Sequence, residues 1–94
     1  MADGAGIIDF GATPTDEASV VVSGQAGIVA GSHVEAWFMR EVTGDNGVEE
    51  HEQAAAECPL VCGAVVAGTE FTVFAHAAFL ATGQFDFRWV WKNP

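Results

Sequence analysis

Ninety-four residues with thirteen acids against three bases carry a formal charge of −10. That balance excludes partners recognised through phosphate, because Arg40, Arg88 and Lys92 cannot build the basic patch that nucleic acid or an anionic membrane requires. One domain with one modest core is expected, with no apolar run near the roughly 18 residues of a membrane span.

The N-terminal MADGAG has neither the basic nor the apolar segment of a secretory leader, and Met1–Gly6 reads as a small, Gly-rich loose arm. Ile7–Phe10 is a short apolar patch fit to add an edge strand. The arm and edge strand together cover residues 1–10, and the remaining domain covers 11–94. Gly11–Glu17 is a turn punctuated by Pro14 and Asp16. Ala18–Ser23 is β-branched with apolar groups on both faces, the mark of a strand covered twice or used at an interface. Gly24–Gly27 is expected to form a bulge or turn, and Ile28–Ala30 to continue the extended run. His33–Val42 alternates imperfectly: Val34, Ala36 and Phe38 form one set, and Glu35, Trp37 and Met39 the other. Thr43–Gly47 is a turn.

Val48–Glu57 is the one helix the composition supports. Asp45 or Asn46 is placed to cap it, acids sit at its start, and Pro59 stops it. Leu60–Val66 reads as a strand. Thr69–Ala77 alternates, and Ala78–Thr82 connects it to the last segment. There, Phe85, Phe87, Trp89 and Trp91 occupy every second position, which on a strand gives one aromatic face. Burying four such rings contributes on the order of 15–20 kcal/mol gross, before chain entropy is set against it. Five to seven short strands with regular turn signals predict an all-β fold, an antiparallel β-sandwich or small barrel with one short helix.

Candidate chemistry is sparse. Cys58 and Cys62 with His51 are one ligand short of a zinc site, and buried thiols are the commoner fate of such residues. Two cysteines do not make a disulfide scaffold, and synthesis in a reducing cytoplasm is the expectation. The acids from Glu41 to Glu57 lack the alternating spacing of a calcium loop. His33, His51 and His76 accompany serines but no nucleophile elbow or glycine-rich oxyanion turn. The expectation is a non-enzymatic protein with no cofactor and no metal. Alternating aromatics are usually core, so the interface is sought elsewhere: at Ile7, Ile8 and Phe10 in the N-terminal segment, at Trp37, and at Trp91, expected to be the most exposed of its row.

Four stretches, IIDFG (7–11), SVVVSGQAGIVAGSHVEAW (19–37), VAGTEFTVFA (66–75) and GQFDFRWVW (83–91), span most of the chain. In them the sequence resembles small virion-associated β-sandwich proteins of tailed bacteriophages. These are scaffold patterns, and 41–62 departs from them. The resemblance implies a structural role, a capsid decoration or cement protein contacting the major capsid protein and its own copies as an oligomer. The alternative is a tail- or fibre-associated module recognising host glycans through Trp37 or Trp91. A charge of −10 favours the outer surface of the virion over contact with packaged DNA. In this reading the N-terminal arm pairs with a neighbour's sheet edge, and its deletion leaves a folded domain.

Overall fold

The computed structural model describes residues 2–94. Its elements are β1 (Ala2–Asp9), β2 (Thr15–Val22), β3 (His33–Phe38), α1 (Val48–Glu57), β4 (Leu60–Val66), β5 (Glu70–Ala81) and β6 (Gln84–Lys92). Two three-stranded antiparallel sheets, β1-β6-β3 and β2-β5-β4, face each other as an all-β sandwich. β1 packs beside β2, and β3 beside β4. The order round the body is therefore that of a flattened barrel whose two corners are packed rather than paired.

The aromatic alternation of β6 explains its central place. Phe85, Phe87, Trp89 and Trp91 all point inward and are at most 8% exposed. Across the core they meet Phe71, Val73 and Ala75 from the inward face of β5. Phe71 and Trp89 pack edge-on at 5.4 Å, and Phe10 and Phe85 at 5.6 Å. Such pairs add to the energy of burial alone. Trp89 Nε1 is buried with no hydrogen-bond partner among the described residues.

The N-terminal segment differs from the expected loose arm. Apart from Met1, which lies outside the described residues, it is a strand paired with β6 along its whole length, from Ala2 opposite Trp91 to Asp9 opposite Gln84. The reason lies in its small residues. Gly4 and Gly6 leave space for the rings of Trp89 and Phe87, their partners on β6. The β1–β6 pairing is thus internal to the domain and is not left open for a neighbour.

Other boundaries shift for identifiable reasons. β2 begins at Thr15, inside the expected turn, and a register irregularity between Thr15 and Glu17 absorbs the change. Residues 28–30 are not extended. The 23–32 loop folds over one end of the sandwich, where Ile28 is 1% exposed. β3 stops at Phe38, and β5 runs through the expected connection to Ala81. The β5–β6 turn can be this short because Gly83 adopts φ +75, a left-handed conformation that glycine takes without penalty. In β4, Ala64 has φ +50 where the register with β5 shifts between Gly63 and Val66. That bulge interrupts an edge strand, a common guard against edge-to-edge pairing.

The helix spans the expected residues, but its cap is Gly47 rather than Asp45 or Asn46. Glu50 reaches back to accept the Gly47 N–H at 3.0 Å. His51 and Ala54 form its buried stripe and, with the buried C-cap residue Cys58, close the end of the sandwich opposite the 23–32 loop.

Candidate functional site

Since β6 turns its rings inward, its intervening residues and those of its neighbours form the outer face of that sheet. Register sets them in rungs: Asp3–Val90–Glu35, then Ala5–Arg88–Trp37, then Ile7–Asp86. Met39 follows just past the end of β3. Trp37 is 42% exposed, and Met39 and Ile7 are each 43% exposed. A groove of about 620 Å³ crosses the three strands between Asp3, Ala5, Trp37, Met39, Arg88 and Val90. Arg88 is fixed within it: Nη1 donates to Asp86 Oδ1 at 3.1 Å, and Nη2 to Glu41 Oε1 at 2.5 Å. Arg88 lies directly across the ladder from Trp37. This arrangement can do what a recognition surface does: offer an indole and a thioether for contact beside polar groups that set orientation.

Of the five residues expected at an interface, the structure brings Trp37 and Ile7 to this face. The other three are corrected. Ile8 is fully buried and Phe10 is 6% exposed, because β1 turns Ile8 inward and Phe10 packs on Phe85. Trp91 is 5% exposed despite its closeness to the terminus. The 23–32 loop covers it, and its Nε1–H donates to Gln25 Oε1 at 2.8 Å. Met39, Arg88 and Asp3 were missed by the sequence reading. Met39 shares the alternation set of Trp37, which was the available signal. Nothing in the sequence shows that Asp3 belongs to a strand lying two strands away.

The remaining candidates are occupied in the fold. His51 is buried, with Nδ1 2.9 Å from Gly47 O and Nε2 accepting the Asp86 N–H at 2.9 Å. His33 and His76 are exposed, each 3.4 Å from a glutamate, Glu35 and Glu17 respectively. In the acidic segment Glu41 pairs with Arg88, Glu52 with Arg40, and Glu50 accepts at the Gly47 cap. Among the described residues no three His, Cys, Asp or Glu side chains converge as metal ligands. A polar hollow of about 540 Å³ at Asp9, Gly11, Asp45 and Gly83 is made of turns. Its carboxylates accept backbone N–H groups, Asp9 from Gly11 at 2.7 Å and Asp45 from Gln84 at 2.9 Å.

Both cysteines are free thiols. Burial pushes the Cys62 thiol up to about 11, with the charge of Glu35 adding to the effect. Burial also raises Cys58, against a smaller lowering by a backbone hydrogen bond at His76. The thiolate is the reactive form, so both cysteines are expected to alkylate slowly at pH 8 in the native protein and fully in urea. The sign for stability follows from proton linkage. The folded chain keeps protons that the unfolded chain releases above the ordinary thiol value of 9.0. Stability from this source is constant below about pH 9 and falls from there toward pH 11. Urea midpoints across that range should drop, and drop less in Cys62→Ala. Rapid labelling of the native protein at pH 8 would contradict this.

The other sheet also exposes apolar groups: Phe74, 36% exposed, lies between Ser19 and Val61, with Val21 on the next rung. A smaller hollow of about 200 Å³ lies beside Phe74, lined by Glu17, Ser19 and His76. Against known proteins, no family model matches the chain, and no curated protein or solved structure matches it either.

Proposed function

We propose that this chain is a non-enzymatic docking domain of a phage virion, a head-decoration or cement protein that seats the outer face of its β1-β6-β3 sheet on the major capsid protein. The observation that carries docking is Trp37, an indole 42% exposed in one groove with Met39, on an otherwise acidic protein. Exposed apolar groups gathered on one face mark interaction sites, and tryptophan is over-represented among the residues that dominate binding energy. The virion setting is supported by the resemblance in stretches 7–11, 19–37, 66–75 and 83–91. The charge of −10 supports the outer surface of the particle, away from packaged DNA. Copies of the domain then oligomerise through the particle's symmetry. With β1 committed to its own sheet, contact is made by a sheet face and not by an exchanged arm.

Virions banded in a density gradient are expected to carry the chain. Particles assembled with Trp37→Ala are expected to lose most of it, while the free variant keeps its circular dichroism spectrum. Recovery of the chain only among unassembled proteins would overturn the reading.

A second reading, a tail- or fibre-associated module for host glycans, is favoured by one feature: Trp37 has the polar groups of Asp3 and Arg88 in the same groove. A sugar ring stacks on an indole while its hydroxyls bond to such neighbours. Saturable fluorescence quenching by host polysaccharide, lost in Trp37→Ala, would shift the assignment to this reading.

A further inference from the structure

The groove beside Trp37 is lined by the apolar Ala5, Trp37, Met39 and Val90, by Arg88 on its middle rung and by the acid Asp3 at one side. Asp3 lines it with no cation within ion-pair distance among the described residues. Glu35, across Val90 from Asp3, borders a smaller hollow with His33 and Lys92; among the described residues its ion-pair contact is His33, a partner that is charged only when protonated. Arg88, the one base in the groove among the described residues, is already shared by Asp86 and Glu41. A second copy of the chain would bring these same carboxylates face to face on two bodies of charge −10. The charge pattern therefore disfavours self-association on this face and selects for the opposite sign.

We infer that the groove receives a basic peptide segment of its partner. Lysine or arginine side chains lay their methylene stems along Trp37 and Met39 and bring their charges to Asp3 and Glu35. Long basic side chains are suited to this, because the stem covers apolar surface while the head stays with water and carboxylate. A cation close to an indole face gains further attraction. The pattern also predicts salt-sensitive, electrostatically steered association. The inference rests on the docking face proposed above and names the chemistry of what docks there.

The test titrates the purified full chain with a short peptide of alternating arginine and leucine, and with its glutamate–leucine counterpart, following tryptophan fluorescence. Saturable binding of the basic peptide only, weakened by added salt, is expected. Trp37→Ala should weaken it by about 30-fold, the loss typical of a hot-spot residue. Asp3→Asn should weaken it about two- to five-fold, as for an exposed ion pair. Glu57→Gln, an equal charge change on the exposed side of α1, should leave it unchanged. Equal binding of the acidic peptide, no saturation, or identical losses in Asp3→Asn and Glu57→Gln would each overturn the inference. Peptide binding at Trp37 by a chain absent from virions would uphold the basic partner and remove the virion role. Virion occupancy without peptide binding would remove the basic partner alone.

Discussion

Replacing His51 with leucine is expected to lower the free energy of unfolding by about 2–4 kcal/mol, the cost of leaving buried polar groups unpaired. The substitution roughly keeps the volume against Phe85, whose ring centroid lies 5.1 Å from the imidazole, but removes both ring nitrogens. β3 ends at Phe38, opposite Phe87, while β6 begins at Gln84. One edge of β6 is therefore left without a strand partner over its first residues. Side chains of the following loop and helix supply what the missing strand would have supplied. His51 Nε2 accepts from the Asp86 N–H, and Asp45 Oδ2 accepts from the Gln84 N–H. Thr43 Oγ1 and Asn46 Nδ2 donate to the Gln84 carbonyl at 2.7 and 2.9 Å. These partners set the imidazole tautomer: Nδ1–H donates to Gly47 O, which leaves Nε2 as the acceptor. Leucine strands the Asp86 N–H entirely, whereas Gly47 O keeps the His51 backbone N–H at 3.1 Å. Urea unfolding with an unchanged m value measures the loss. His76→Leu is the contrast. His76 is an exposed residue 3.4 Å from Glu17, and its loss should cost under about 0.5 kcal/mol. Equal costs at the two positions would refute the role assigned to His51.

This brace also shows where a sequence stops being readable. Strand β6 and its inward aromatic row follow from period-two alternation alone, because one strand's pattern is local information. Helix α1 follows from propensity and from Pro59. The function of the 41–58 segment does not follow, since it completes a sheet edge some forty residues away in sequence, and no local pattern encodes that partnership. Trp91 illustrates the same point. Its place near the end of the chain suggests exposure, yet it is buried by Gln25 and by a loop whose apolar Ile28, Val29 and Ala30 read locally as extended. The groove was half legible. Trp37 and Met39 share an alternation set, but Asp3, Ala5 and Arg88 join them only through the register of three strands taken from opposite ends of the chain.

Deleting residues 1–10 is expected to unfold the domain, and the two glycines of β1 show why. These small residues look like the composition of a free arm, but in the structure their lack of side chains is the packing solution. A Cβ on Gly6 would lie 2.6 Å from Phe87 Cζ, and a Cβ on Gly4 2.6 Å from Trp89 Cζ2. Phe87 is fully buried and Trp89 is 8% exposed, so neither ring has room to withdraw. Gly6→Ala should accordingly cost about 1–3 kcal/mol, as overpacking of a filled core does. The deletion does far more. It strips β6 of its ladder from Ala2 to Asp9, uncovers both rings, and removes Ile8 and Phe10 from the core. The two lost apolar side chains alone forfeit about 3–6 kcal/mol of burial, before the exposed rings are counted. Small domains are stable by only about 5–15 kcal/mol in total. The truncated chain should therefore show no cooperative urea transition and lose its β-type circular dichroism, while Gly6→Ala remains folded with a lowered midpoint. A truncated protein that unfolds cooperatively near the full-length midpoint would return these residues to the status of an arm and reopen strand exchange with a neighbour as the mode of docking.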